Sequence, residues 1–222
     1  MHLHSHEILL LRSVITNNLE VYLTANEAVD SDHPTIITLA KQLAAGREGD
    51  EAIAKSCFEY VRDEIAHSGD IAARVTTYKA SEVLAQRTGW CYAKSHLLAA
   101  LLRANNIPAG LCYQRLSQGE RGAPYSLHGL NAIYLKEYGW YRVDPRGNKI
   151  GVNAQFRPPV EQLAFAFHDE NEGDFETIYN APLKEVSKAL QCNVDYKAMV
   201  QNLPDKILYE KRDLSDDENS TT

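Results

Sequence analysis

Residues 89–109 read GWCYAKSHLLAALLRANNIPA. From Cys91, apolar residues recur at three-to-four spacing through Leu98 and Leu102, a pattern that predicts an amphipathic helix. Pro108 ends the pattern, because a proline disfavours helical backbone in the residue before it. The sequence therefore predicts a well-defined helix that begins near its cysteine.

A cysteine in the first turn of a helix faces unpaired backbone N–H groups and the positive end of the helix dipole. Both stabilise a thiolate over a thiol. On helical spacing Cys91 aligns with Ser95, Leu98 and Leu102, at the end where this core-facing stripe reaches the surface. The position favours a nucleophile at the edge of a cleft. The alternative is a buried small apolar residue, the usual role of a lone cysteine in an intracellular protein.

The chain beyond this helix contains three segments that are rich in β-forming residues and bounded by Gly, Pro and Ser. The last two predict a hairpin that brings His128 and Asp144 to the same end of a sheet. A three-residue loop over residues 137–139 would pair Lys136 with Trp140 and put both residues on one face. Taken singly, His128 also fits a hydrogen-bonded structural histidine, and Asp144 fits an ordinary turn. The predicted strands are residues 111–116, 128–135 and 140–144.

Amphipathic patterns and capping residues predict further helices on both sides of this core. Asp32 is predicted to cap the first of them and Ser81 to cap a short one before Cys91. The predicted helices lie at residues 34–46, from about 50 to a stop at 68–70, from 81 to about 87, and near 182–191 and 194–202. Together these elements predict an α+β architecture that combines helices with an antiparallel sheet.

Charge and hydropathy exclude several classes of partner. The chain carries 23 Lys and Arg against 30 Asp and Glu, a net charge of −7, and no basic cluster alternates with aromatics. A nucleic-acid partner is therefore not expected. Apolar runs fall far short of the roughly 20 residues that span a bilayer. The first residues also lack a signal-peptide pattern. We expect a cytoplasmic protein without membrane association.

Length and composition predict one globular domain. With 222 residues and 44% apolar content, residues 1–212 are expected to form a single domain with a core at about 75–150. Residues 213–222 are expected to be an acidic, solvated tail. Three histidines alternate at the start of the chain and would suit a metal only on a strand, whereas a frayed terminus is expected: His2, His4 and His6. The scattered cysteines predict four free thiols: Cys57, Cys91, Cys112 and Cys192.

Three sequence blocks resemble, in order, the transglutaminase-like superfamily, whose core is shared with papain-like cysteine proteases and peptide N-glycanases. The first is residues 89–109, the second is HGLNAIYL at 128–135, and the third is GWYRVDP at 139–145. Together they cover roughly residues 81–148. The resemblance implies a papain/transglutaminase-like α+β fold in a small, single-domain member of bacterial type. Its catalytic Cys would begin a helix packed on an antiparallel sheet that carries His and Asp.

The resemblance also implies roles for three residues. Cys91 would be the nucleophile, His128 the general base and later acid, and Asp144 the residue that orients the imidazole. The chemistry expected of these residue types assigns the same roles. One departure is the stretch that follows the histidine, where many relatives have His-Ala-Trp and a carboxylate but this chain has Gly129, Leu130 and Asn131. It indicates a subfamily and weakens inference about the substrate.

The sequence leaves three functions open. In each catalytic case the Cys91 thiolate attacks an amide or peptide carbonyl and forms a thioester. Water as acceptor gives a transglutaminase-like peptidase or amidase, our first interpretation, and an amine acceptor gives a protein-glutamine transglutaminase. A catalytically silent binding module on the same fold is the third. The expected partner is a peptide, a protein or a small amide, and the sequence leaves the oligomeric state open.

Supporting residues are less sharply defined by the sequence. The backbone N–H of Cys91 suits an oxyanion donor, and Gln86 and Tyr78 are candidates for a second donor. Four cations near the strands or after Asp144 either bind an acidic substrate or are solvated surface charges, and the second interpretation is expected for most. These cations are Arg115, Arg146, Lys149 and Arg157. Neither zinc-type Cys/His spacing nor a calcium loop appears, so we expect an enzyme without metal or cofactor.

Overall fold

The computed structural model describes residues 19–119 and 121–207 of the chain. A 3-10 helix at Leu19–Tyr22 opens this part. The α-helices are α1 Pro34–Ala44, α2 Gly49–Glu64, α3 Ala80–Gln86, α4 Cys91–Ala104, α5 Lys184–Cys192 and α6 Tyr196–Gln201. The strands are β1 Ala66–His67, β2 Thr88–Gly89, β3 Ala109–Ser117, β4 Tyr125–Leu135, β5 Gly139–Val143 and β6 Gly173–Asp174.

The main sheet has four strands in the order β5-β4-β3-β6, and every neighbouring pair is antiparallel. Helix α4 lies between this sheet and helices α1, α2 and α3. It is buried at every position from Cys91 to Arg103. A helix buried on all sides is a core helix, and each of its fully buried leucines stabilises the fold by about 1.5–3 kcal/mol. The predicted α+β class is confirmed, with a helix that begins at Cys91 packed on an antiparallel sheet.

The structure gives the hairpin register that the sequence left open. It pairs Leu135 with Gly139 and Tyr134 with Trp140, and does not pair Lys136 with Trp140. The backbone N–H of Tyr138 donates to Leu135 O at 3.0 Å, which closes the turn one residue earlier. Gly139 follows with φ +74°, a left-handed conformation that glycine adopts without steric cost. The turn is therefore set by the glycine.

Two predicted helix caps were wrong. His33 caps α1, and its ring accepts a hydrogen bond from the backbone N–H of Thr35 at 3.4 Å, so Asp32 lies outside the helix. Ser81 lies inside the first turn of α3, where its hydroxyl bonds the Asp30 carboxylate at 2.5 Å. The Glu82 carboxylate accepts the N–H groups that precede this helix. Tertiary and local partners thus replaced the side-chain caps that the sequence suggested.

The stop of the second helix comes earlier than expected. Helix α2 ends at Glu64 because the next residues, Ala66 and His67, leave the helix to pair with Thr88 and Gly89 in a short parallel sheet. This pairing joins the end of α2 to the residues just before α4. No helix within the described ranges is long and apolar enough to cross a membrane. The alternating histidines at residues 2–6 and the acidic tail at 213–222 lie outside the described residues, and the single domain remains a prediction.

Candidate active site

Cys91 is the first residue of α4, and the extended backbone of Trp90 precedes it as the N-cap. The Cys91 side chain therefore lies at the helix end where unpaired N–H groups and the dipole favour negative charge on sulfur. The backbone N–H of Gly129 on β4 points at its Sγ from 3.4 Å. Only 6% of Cys91 is exposed, so the thiol opens to solvent over a small area.

His128 and Asp144 form a direct side-chain hydrogen bond beside this cysteine. His128 Nε2 lies 2.7 Å from Asp144 Oδ2, and Asp144 is fully buried. Because Nε2 is taken by the carboxylate, Nδ1 is the ring nitrogen left for Cys91 or a substrate. The three residues predicted from the sequence are thus brought together at one end of β4.

Two backbone N–H groups fix the Asp144 carboxylate from other directions. Arg146 N donates to Oδ1 at 3.1 Å, and Ala164 N donates to Oδ2 at 3.1 Å. The neighbouring Phe165 packs edge-on against the His128 ring with centroids 5.0 Å apart. The segment around residue 164 therefore both holds the carboxylate and covers the imidazole. No motif pointed to this segment, whose Ala164 lies 20 residues beyond Asp144.

The electrostatics of the pair favour a charged imidazole. Burial alone would lower the pKa of His128, but the charges of Asp144 and Cys91 and their hydrogen bonds outweigh it and raise this pKa to about 10. Burial alone would raise the pKa of Asp144, whereas the His128 charge and the hydrogen bonds hold it below its usual range. Both directions describe one buried imidazolium–carboxylate pair next to a thiol.

The raised pKa of His128 predicts the direction in which stability changes with pH. Folded His128 keeps its proton up to about pH 10, whereas an unfolded histidine releases it near 6.5. Its contribution to the free energy of unfolding is therefore full below 6.5 and is lost as pH rises towards 10. We expect the difference between wild type and His128→Gln, measured by urea unfolding, to shrink across that window.

The comparison with His128→Gln removes effects that both proteins share. Lys94, whose pKa burial lowers to about 7, gives an opposite trend over the same window in both proteins. A difference that stays flat or grows between pH 6.5 and 10 would contradict the assignment of the raised pKa to His128.

Lys94 is a buried residue that the sequence reasoning did not single out. It lies one turn after Cys91, and its ammonium donates to the carbonyls of Ile65 and Arg62 at the end of α2. A lysine three residues after Cys91, on the same face of the predicted helix, is the signal that was available. Its contacts satisfy carbonyl groups that the helix end leaves open, which is a structural role.

The other three cysteines have different surroundings from Cys91. Cys57 and Cys112 are buried, as Cys91 is, and burial raises the pKa of each of these two thiols to about 12. Cys192 at the end of α5 is exposed. All four cysteines are free thiols, as expected. Of the four, Cys91 alone lies beside the His128–Asp144 pair.

The two candidate side chains for a second oxyanion donor have different surroundings. Gln86 ends α3 with an exposed side chain. The Tyr78 hydroxyl donates to Ser187 Oγ at 3.4 Å, and its ring packs against His96. The backbone N–H of Cys91 at the helix start remains the candidate donor that geometry favours.

The four candidate cations have protein partners or face solvent. Arg146 and Lys149 both bind the Asp70 carboxylate. Arg115 forms a two-bonded ion pair with Asp205, and Arg157 is exposed. The described residues contain no group of three or more His, Cys, Asp or Glu placed to hold a metal ion.

Comparison with known proteins indicates a family. The family model for the transglutaminase-like superfamily matches residues 37–145, about half of the chain, and includes all three candidate residues. This superfamily typically consists of cysteine-based enzymes. No curated protein matches the chain.

Solved structures show only distant similarity. A candidate cysteine protease from Cytophaga hutchinsonii is 20% identical over 60% of this chain and 44% of its own, with a TM-score of 0.48. The periplasmic domain of TgpA from Pseudomonas aeruginosa is 23% identical over 56% of this chain and 45% of its own, with a TM-score of 0.42. This chain thus spans less than half of each of these proteins. The sequence blocks, the α+β core and the family match together place the chain in the transglutaminase-like superfamily.

Proposed function

We propose that this protein is a cysteine-dependent acyl-transfer enzyme that acts on an amide or peptide carbonyl through a thioester on Cys91. The observation that carries the proposal is the buried His128–Asp144 pair, bonded at 2.7 Å beside a thiol at a helix start. A histidine charged by a buried carboxylate stabilises a neighbouring thiolate and holds the proton that a leaving amine needs.

The proposed reaction has two halves. The Cys91 thiolate attacks the carbonyl carbon, and the oxyanion that forms meets the backbone N–H at the start of α4. As the C–N bond breaks, the His128 imidazolium gives its proton to the departing amine, which leaves a thioester and a neutral imidazole. His128 then takes a proton from the attacking water or amine, and the thiolate leaves as the C–S bond breaks.

Asp144 acts on the imidazole in this scheme. Its carboxylate, held by two backbone N–H groups, fixes the ring with Nε2 towards itself and Nδ1 towards the thiol. The same charge stabilises the imidazolium that exists before attack and after the second proton transfer. Neutralising this carboxylate would weaken both effects while leaving the nucleophile in place.

In the second half of the reaction, we favour water as the acceptor, which makes the enzyme a peptidase or amidase. The alternative is transfer to an amine, as in a protein-glutamine transglutaminase. The three residues serve both reactions equally, since only the acceptor differs. A substrate of peptide or protein type fits the superfamily, and the mechanism requires neither metal nor organic cofactor.

The test is the alkylation rate of each cysteine against pH, measured by mass spectrometry with iodoacetamide. We expect Cys91 to react at pH 6 at a rate at least about tenfold above that of exposed Cys192, because the imidazolium stabilises its thiolate. In His128→Ala this advantage should vanish. Cys192 is the internal control in each sample.

The same measurement separates the enzyme from a binding module on this fold. Cys91 in a silent module has no need of an activated thiolate, so its rate at pH 6 would not exceed that of Cys192. That result in the wild type would overturn the proposed function.

A further inference from the structure

An ion pair between buried Arg146 and partly exposed Asp70 joins two distant segments of the chain next to Asp144. Arg146 Nη1 and Nη2 donate to the two carboxylate oxygens of Asp70 at 2.6 and 2.8 Å. The Arg146 side chain is 8% exposed. Lys149 adds a third contact to Asp70 at 2.7 Å. A bidentate arginine–carboxylate pair fixes orientation as well as distance, so it is a rigid connection.

The Asp70 end of this connection is tied to the start of α4. Asp70 follows β1, which pairs in parallel with Thr88 and Gly89. The backbone N–H of Ser68 extends the ladder by donating to Gly89 O at 3.0 Å, and Asp70 N donates back to His67 O at 2.9 Å. Gly89 lies two residues before Cys91. Movement of Asp70 relative to the nucleophile would therefore require this ladder to break.

The Arg146 end is tied to the imidazole through one carboxylate. The backbone N–H of Arg146 donates to Asp144 Oδ1, while Asp144 Oδ2 holds His128. Any shift of Arg146 therefore moves a donor that orients the carboxylate. Asp70 also keeps the guanidinium occupied. Without Asp70, the buried Arg146 guanidinium would lack this partner. It would then compete with the His128 imidazole for the Asp144 carboxylate, two residues away.

We propose that the Asp70–Arg146 ion pair is a clamp that sets the position of His128 relative to Cys91. It does so by fixing the segment after Asp144 to the segment before the nucleophile. Both are positioning residues, since neither touches the reacting atoms. The inference rests on the proposed function and names how that site keeps its geometry.

The clamp is tested with Arg146→Gln and Asp70→Asn, using iodoacetamide alkylation of Cys91 at pH 6 and pH 9. Misplacement of a reacting group by about 1 Å costs on the order of 10²-fold. We therefore expect the pH 6 rate to fall about ten- to a hundredfold in each variant, with a smaller change at pH 9. The alkylation rate of the double variant should be no lower than that of the slower single variant, because both changes break the same connection.

Asp63→Asn is the matched control. Arg62 and Asp63 form an equally short bidentate pair within α2. Arg62 Nη1 also donates to Ala154 O at 3.1 Å, a contact that does not involve Asp63. This variant should keep the wild-type pH profile. Arg146→Lys, which keeps the charge but loses the two-bonded geometry, gives a milder change if Arg146→Gln does not fold, and should still lower the pH 6 rate.

The outcomes are distinct. A wild-type pH profile in folded Arg146→Gln, Arg146→Lys and Asp70→Asn overturns the clamp while leaving the proposed function intact. Lower thermal stability without a change of profile also overturns it, because the pair would then serve the fold alone. A wild-type Cys91 that lacks fast alkylation at pH 6 overturns the proposed function and the clamp together.

Discussion

Replacing Cys91 by alanine is expected to abolish acyl transfer, by a factor on the order of 10⁶, while the protein stays folded. The large effect follows because no other group beside His128 and Asp144 can form the thioester. The fold should tolerate the change, since it removes one sulfur atom, to which the Gly129 N–H donates weakly from 3.4 Å. Cys91 also begins α4 and does not interrupt it.

The assay can detect the thioester without knowing the natural acceptor. Glutamine-containing peptides are incubated with the protein and hydroxylamine, and the products are separated by mass spectrometry. A hydroxamate reports capture of the acyl group by an amine, and a free acid reports hydrolysis. The ratio of the two products would also decide between the two acceptors that the site accommodates.

Cys192→Ala is the control for loss of a thiol as such. Cys192 is exposed at the end of α5, so this variant should turn over like the wild type. Undiminished turnover in Cys91→Ala would rule out the thioester mechanism, wherever the activity then came from.

Gly129→Ala is expected to disturb both the fold and the site. An added Cβ at Gly129 would lie 3.0 Å from Tyr92 Cα and 3.1 Å from Tyr92 N, which are backbone atoms of α4. Such atoms cannot rotate away as the end of a side chain can. The Tyr92 hydroxyl also donates to Leu127 O, which holds the same two elements together. Strand β4 would have to move off the start of the helix.

The expected size of the effect follows from this displacement. Overpacking of this kind destabilises a protein by about 1–3 kcal/mol. A shift of His128 of about 1 Å relative to Cys91 should lower activity on the order of 10²-fold. Urea unfolding measures the first effect. Alkylation of Cys91 at pH 6 measures the second.

Gly119→Ala is the matched control, because an added Cβ there meets nothing within 4 Å. It should change neither the unfolding midpoint nor the alkylation rate. If Gly129→Ala behaved like Gly119→Ala, the close approach of β4 to α4 would not be what positions the histidine.

The position of Gly129 explains why this chain differs from many relatives in the residue that follows the histidine. Many relatives carry a residue with a Cβ after the histidine, and this chain does not. Here the backbone of Tyr92 fills the space that the Cβ would need. The missing side chain lets the Gly129 N–H approach the sulfur of Cys91. Gly129, which the sequence suggested only as a subfamily feature, allows β4 to pack closely against α4.

The sequence by itself predicted the helix from Cys91 to its end before Pro108, because helical spacing and a proline stop act over neighbouring residues. It also predicted the β4–β5 hairpin and the proximity of His128 and Asp144. Two strands joined by a short turn pair antiparallel, which brings their outer ends together. Local rules sufficed for these features. The catalytic roles of the three residues remain predictions until the alkylation and turnover measurements are made.

Tertiary contacts set the features that depend on distant segments. The Asp70–Arg146 pair joins residues 76 positions apart, and the Ala164 N–H reaches Asp144 across 20 positions. The hairpin register was set by the left-handed backbone of Gly139, which the sequence permitted but did not require. Charged and polar groups choose partners by spatial proximity, and the packing of α4 against the sheet creates that proximity. The sequence therefore supplied the candidate residues, whereas the contacts that hold them in place came from the fold.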